Sequence, residues 1–263
     1  KYKYKTLENL SDQLGFNLRT NSESLCAVTS KKEKFNYGIA ITSIFEPDDH
    51  THIEVVKYPD GSGLMKAFST IAAGPGPPII RILKLIGNIV KRPIKFLRFV
   101  FEFKWSKKTV ILLVMQSLDN SMKMIYRKFP FFHMSISNKG NNKTPSYIDI
   151  GQKTMDLYAD KIDGTSLNAL TEVLFNMSST AHIIGGCPMG KTKEEGVVNE
   201  NFQVFGYPNM YVLDGSIVPC NLGVNPSLTI TALSEYAMFQ IPEKEGNEVI
   251  TLDRQLKDVA LSV

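Results

Sequence analysis

Cysteine is scarce. The three thiols in 263 residues (Cys26, Cys187, Cys220) leave at least one unpaired, which excludes a disulfide framework as the source of stability. The histidines (His50, His52, His133, His182) and the cysteines fall in no ligand spacing, so no metal site is expected. Long apolar runs are missing too: no stretch of about 20 uncharged apolar residues is available to span a bilayer. The chain opens Lys1-Tyr2-Lys3-Tyr4-Lys5, without Met or a signal-like apolar run, and reads as a piece of something longer. A net charge of +4 is too small to point to nucleic acid.

What is present suffices for a packed core. Hydrophobic residues make up 43%, with 15 Phe and 10 Tyr, which excludes a disordered chain. The charge is concentrated. Nine basic residues lie between Arg81 and Lys108 with Glu102 as the one acidic residue, so that segment is strongly positive while the remainder is negative.

Hydrophobic periodicity predicts a short helix over 7–14 and strands over 25–29, 37–45, 52–58, 109–116 and 122–128. Pro93 splits 79–108 into two short helices or one kinked helix. Helical spacing returns over 151–162, and 137–145 reads as an exposed turn. A strand over 211–214 and a helix from about Pro226 to Phe239 follow, with Pro226 in the first turn and Asn225 suited to the N-cap. Consecutive strands without intervening helices predict an α+β domain, an antiparallel sheet with helices on one side.

Two constellations carry chemistry. His182-Ile-Ile-Gly-Gly-Cys-Pro-Met-Gly190 packs three glycines into six residues behind a histidine, which lets backbone approach another object closely. It is either a pocket presenting an imidazole or a tight loop whose histidine is satisfied by backbone. Cys187 has no accompanying nucleophile signature. Tyr211-Val-Leu-Asp-Gly-Ser216 and Gly223-Val-Asn-Pro226 then set a carboxylate beside a turn and begin a largely apolar helix. The N-terminus of that helix offers free N–H groups to an anion, or is simply a capped core helix.

Taken together, in this order, these motifs resemble the C-terminal part of the glucose–methanol–choline (GMC) oxidoreductases, in their cholesterol oxidase branch. His52-Ile-Glu-Val-Val-Lys-Tyr-Pro-Asp-Gly61 is similar to the strand that carries that branch's active-site glutamate. The resemblance implies FAD as cofactor and a small-molecule alcohol, sterol-like and bulky, as substrate. It gives His182, Asn225 and Glu54 as catalytic, and Asp214, Gly215, Asn225, Pro226, Ser227 and Leu228 as cofactor-binding. Because side chains alternate along a strand, Glu54 must face the pocket while Ile53 and Val55 face away.

The family's Gly-x-Gly-x-x-Gly turn does not occur in this sequence. The resemblance therefore implies a substrate-binding domain over 1–180, a motif region over 181–245 completing the FAD site, and a tail over 246–263. The last strand and helix would belong to a flavin-binding α/β domain whose N-terminal part is missing. Alternatives are an FAD dehydrogenase for small or aliphatic alcohols, or a non-catalytic remnant that binds lipid or a partner chain. The basic segment 79–108 is either a solvated helix face or a peripheral membrane contact.

Overall fold

The structure, a computed structural model, describes residues 1–118, 120–131, 133–137, 144–242 and 246. Six strands form one antiparallel sheet: β1 (Ser24–Thr29), β2 (Ile41–Asp48), β3 (Thr51–Lys57), β4 (Ser69–Ile71), β5 (Thr109–Gln116) and β8 (Thr165–Ala169). Their spatial order is β2-β3-β5-β1-β8-β4, and every neighbouring pair is antiparallel. A two-stranded ribbon joins β6 (Lys123–Arg127) to β7 (His133–Ser137).

The continuous apolar run of β5 is explained by its central place, with both faces covered. Val110, Leu112 and Val114 point into a core shared with Ile53 and with Met155 and Ala159 of α4 (Asp149–Lys161). A Cβ on Gly151 would lie 2.5 Å from Val114, so the absent side chain lets α4 settle onto the sheet. Ile111 points the other way, into a core with Trp105 and with Phe99, Leu85 and Ile89 of α1 (Pro78–Lys91) and α2 (Pro93–Val100). Helices thus cover both faces, which corrects the expectation of one; a strand apolar at every position requires cover on both sides. Pro93 ends one helix and starts the next, with Arg92 extended away from helical geometry between them (φ −131°, ψ 55°).

Three further expectations are corrected. Residues 7–14 form successive turns, because the Ser11 hydroxyl accepts from Gln13 N–H (3.0 Å) and donates to the Lys193 carbonyl (2.6 Å), competing with a helical ladder. No strand forms over 211–214: Tyr211 makes a single bridge to Gln203, and the chain turns at Asp214. The second strand starts at Ile41, after Gly38 has taken a left-handed conformation (φ 78°). The expected turn over 137–145 and the tail 246–263 lie, but for their ends and Gly246, outside the described residues.

A third core gathers Val197, Val198, Phe202, Val204 and Ile217 with Ala237 of α6 (Ser227–Gln240). Leu10 and Leu14 pack against this core, so the start of the chain rests on the C-terminal unit.

Candidate active site

The loop that carries His182 is held on two sides. Arg19 and Ile184 exchange backbone hydrogen bonds (2.7 and 3.1 Å), and Gly15 N–H donates to the Gly186 carbonyl (2.7 Å). Across the loop, Gly185 N–H donates to the Gly215 carbonyl and Cys187 N–H to that of Ser216, both at 2.9 Å. Gly185 is obligatory: its φ is +73°, and a Cβ there would fall 1.9 Å from the Asn17 carbonyl oxygen. The two motif loops are therefore stitched to one another. Asp214 closes its own turn by accepting from Ser216 N–H (2.8 Å), while its neighbour Gly215 lies against Ile230 of α6.

Asn225 is fixed from the sheet. Asn221 donates to the carbonyls of Gln116 and Leu118 at the end of β5 (2.7 Å each). Asn21 donates to the Val224 carbonyl (2.6 Å). The Asn225 carboxamide then reaches Glu54 on β3, donating to both carboxylate oxygens (2.8 and 3.1 Å). A carboxylate accepts only, so the NH₂ of Asn225 faces it and the Oδ1 faces away. That Oδ1 is buried and without a partner among the described residues. Expected as an N-cap, Asn225 makes no cap bond. Pro226 occupies that position, leaving the first N–H groups of α6 without a side-chain cap.

Glu54 is 5% exposed and points away from Ile53 and Val55, which face the α4 core, as strand alternation requires. Its cross-strand neighbours are Leu113 and Ile44. His182 donates its Nδ1–H to the carboxylate of Glu23, a residue with no exposure at all. The other Glu23 oxygen accepts Ala181 N–H (2.8 Å). The hydrogen bond to Glu23 holds the His182 pKa above that of ordinary histidine, against burial, with the charges of Glu23 and Glu54 adding to the effect. Glu54 thus holds Asn225 by hydrogen bonding and acts on His182 through its charge.

Glu23 has no counterpart in the sequence reading. Its signal is the polar run Thr20-Asn21-Ser22-Glu23-Ser24, which is buried at every position directly ahead of a strand. Of the expected cofactor residues, Asp214, Ser227 and Leu228 are exposed, Gly215 is half-buried and Pro226 is buried. Among the described residues, no cluster of His, Cys, Asp or Glu could hold a metal.

Residues 114–234 match the family model described as GMC oxidoreductase. The chain carries a GMC oxidoreductase C-terminal region. It is 40% identical to a cholesterol oxidase of Acinetobacter baumannii, over 92% of this chain and 44% of that protein. A cholesterol oxidase of Mycobacterium tuberculosis is 38% identical over 90% of this chain and 43% of its own length. A long-chain-alcohol oxidase of Arabidopsis thaliana is 35% identical over 38% of this chain and 13% of that protein. The chain therefore spans less than half the length of these relatives. In this GMC region, the His182 loop and the Asn225 loop both fall inside the matched residues, whereas Glu23 and Glu54 lie before them.

Proposed function

We propose that this chain is the substrate-binding and proton-handling part of an FAD-dependent oxidoreductase that acts on the CH–OH group of an alcohol. The observation that carries this reading is the Asn225 carboxamide, whose nitrogen is held by both oxygens of Glu54 while its buried oxygen is left for an incoming hydroxyl. With Nδ1 of His182 engaged by Glu23, that ring's Nε2 is the atom able to take the hydroxyl proton. The single hydroxyl proton would be shared between Asn225 Oδ1 and His182 Nε2 and pass to the imidazole, whose raised pKa makes it the better acceptor.

The residues present fit FAD. The uncapped N–H groups of Ser227 and Leu228, at the N-terminus of a 14-residue helix, suit a group that gains negative charge, and both residues are exposed. Asp214 and Gly215 belong to the turn that packs on the same helix at Ile230. When bound, the flavin supplies a two-electron acceptor for the hydride of the carbinol carbon. Helix α6 also exposes Leu228, Tyr236, Met238 and Phe239, which is consistent with cover by a flavin-binding part belonging to the rest of the relatives' length. In this reading residues 1–180 hold substrate and 181–245 complete the cofactor site.

The substrate is read as bulky and apolar, of sterol type. The face around Glu54 is formed by Leu25, Leu113 and Met115, and the relatives matched over nine-tenths of the chain are named cholesterol oxidases. On a sterol, Glu54 would act as a second proton acceptor, moving a proton between ring carbons after the oxidation. An aliphatic alcohol is the second reading, favoured by the long-chain-alcohol oxidase relative.

Mixing the full-length enzyme anaerobically with sterols and with long-chain alcohols tests this. Bleaching of the flavin by the sterol is expected, slowed about a hundredfold or more in Asn225→Leu with flavin content retained. A flavin that stays oxidised with every alcohol, in an enzyme that holds it, overturns the proposal.

A further inference from the structure

Helix α1 carries apolar residues on two faces. On the inner side, beside Leu85 and Ile89, Arg81 donates to the Glu172 carbonyl (2.6 Å) and Asn88 to that of Ala72 (2.9 Å), while the exposed Lys84 reaches the Pro75 carbonyl (2.7 Å) from the rim. These residues sit at i, i+3 and i+7 and share one face. The opposite stripe is apolar and open to solvent, with Ile79, Leu83, Ile86 and Val90 exposed at 73, 58, 52 and 73%. Beyond Pro93, Ile94 and Leu97 of α2 and then Phe101 and Phe103 are exposed as well, the last at 91%. Leu85 and Ile89 of α1 with Phe96 and Phe99 of α2 hold the pair on the sheet, so the outer stripe is surplus to folding.

Basic residues outnumber acidic ones along this stripe, although Asp163 lies near Arg98, and Asp156 and Asp160 line one cavity with Arg92. Lys91 and Arg92 are exposed at the elbow between the helices, and Arg98 and Lys104 farther along. The one acidic residue of the segment, Glu102, is paired with Lys108 (2.8 Å). So many exposed apolar side chains on one helix face and its continuation mark an interaction site. A second copy would bring one basic fringe against another, and lysine is depleted at protein–protein contacts. No helix among the described residues is long and apolar enough to cross a membrane.

We propose that the outer face of α1 and α2 docks on a bilayer that carries anionic lipid. The apolar stripe enters the boundary between headgroups and acyl chains, and Lys91, Arg92, Arg98 and Lys104 meet the lipid phosphates. This docking does not rest on the redox reading, because it is read as attachment without turnover.

The test is co-sedimentation of the full-length protein with phosphatidylcholine vesicles, with and without phosphatidylserine. Attachment is expected to the anionic vesicles and to fall as salt is raised. Ile86→Asp with Val90→Asp should lower partitioning tenfold or more. Lys91→Glu with Arg92→Glu should lower it several-fold on anionic vesicles and little on neutral ones. Both positions of each pair are exposed, and bound flavin together with the thermal midpoint reports that the variants fold. Failure of the wild type to attach at low salt overturns the proposal, as does full attachment of the Asp variant. So does a self-association in solution that the Asp variant abolishes while vesicle binding is absent, which would assign the face to a second copy.

Discussion

Glu23 and Glu172 are both fully buried and both lie against the start of β1, yet they meet different partners. Glu23 spends its carboxylate on the His182 ring and on Ala181 N–H. Glu172 accepts from Leu25 N–H (3.1 Å) and the Ser24 hydroxyl (3.2 Å), and Arg81 approaches the backbone oxygen of Glu172 rather than its carboxylate. Burial pushes Glu172 up to about 7, with those donors and the Arg81 charge opposing. The difference teaches what each carboxylate is for. One is coupled to a ring whose pKa it raises, and the other joins α1 and α5 (Leu170–Phe175) to the sheet.

The largest effect should separate the two. In the full-length enzyme, His182→Gln is expected to lower kcat/KM by about a thousandfold through loss of the proton acceptor. Glu172→Gln should leave it within about threefold. Steady-state rates check this, and an equal loss in both variants would erase the distinction between chemistry and anchor.

Next comes the anchor itself. Arg81→Ala opens a cavity and strips donors from the Glu172 carbonyl and the Asn176 side chain, which should cost about 3 kcal/mol in denaturant unfolding. Arg81→Met should cost distinctly less, since Nε and Nη2 of the guanidinium already lack partners among the described residues. If the two variants unfold alike, packing volume is not what Arg81 contributes.

Glu172 also predicts a pH dependence. Its folded pKa lies above the unfolded value, from 4.5 to about 7, so between those values the folded chain binds more protons and stability falls as pH rises. By pH 8 the loss is on the order of 3 kcal/mol. Glu172→Gln should remove it and gain most stability relative to the native chain above pH 7. Parallel stability curves for the two proteins between pH 5 and 8 would refute the assignment.

How much of this was legible in the sequence follows from distance along the chain. The β5 run, the break at Pro93 and the Gly185 loop are local signals, carried by residue types that permit few alternatives. Placing Glu54 opposite Ile53 needed only strand alternation. The antiparallel sheet was legible too, but not β4 and β8, which are short and, in Asn168, carry a polar residue into the interior. Glu23 was hidden because it is buried by a partner 159 residues away, and its neighbours Thr20, Asn21, Ser22 and Ser24 have the composition of a surface loop. Residues 7–14 misled for the opposite reason: their apolar spacing is real, but it serves contact with the core around Phe202, and the Ser11 side chain breaks the helix.

The smallest and most discriminating effect belongs to Glu23. Replacing its carboxylate in Glu23→Gln keeps a hydrogen-bond acceptor for His182 but removes the charge that raises the ring's pKa. Because the neutral ring is the proton acceptor, activity rises with pH through that pKa, and the variant's rising limb should move to lower pH. The plateau should fall by about tenfold, since a weaker base takes the proton less readily. Glu23→Asp, which keeps charge but shortens the reach, should retain the native limb where the contact survives. Flavin-reduction rates measured across pH would decide it: a lower plateau with the limb unmoved would make Glu23 a packing residue, and the coupling to His182 would then have to be read as geometry without electrostatic consequence.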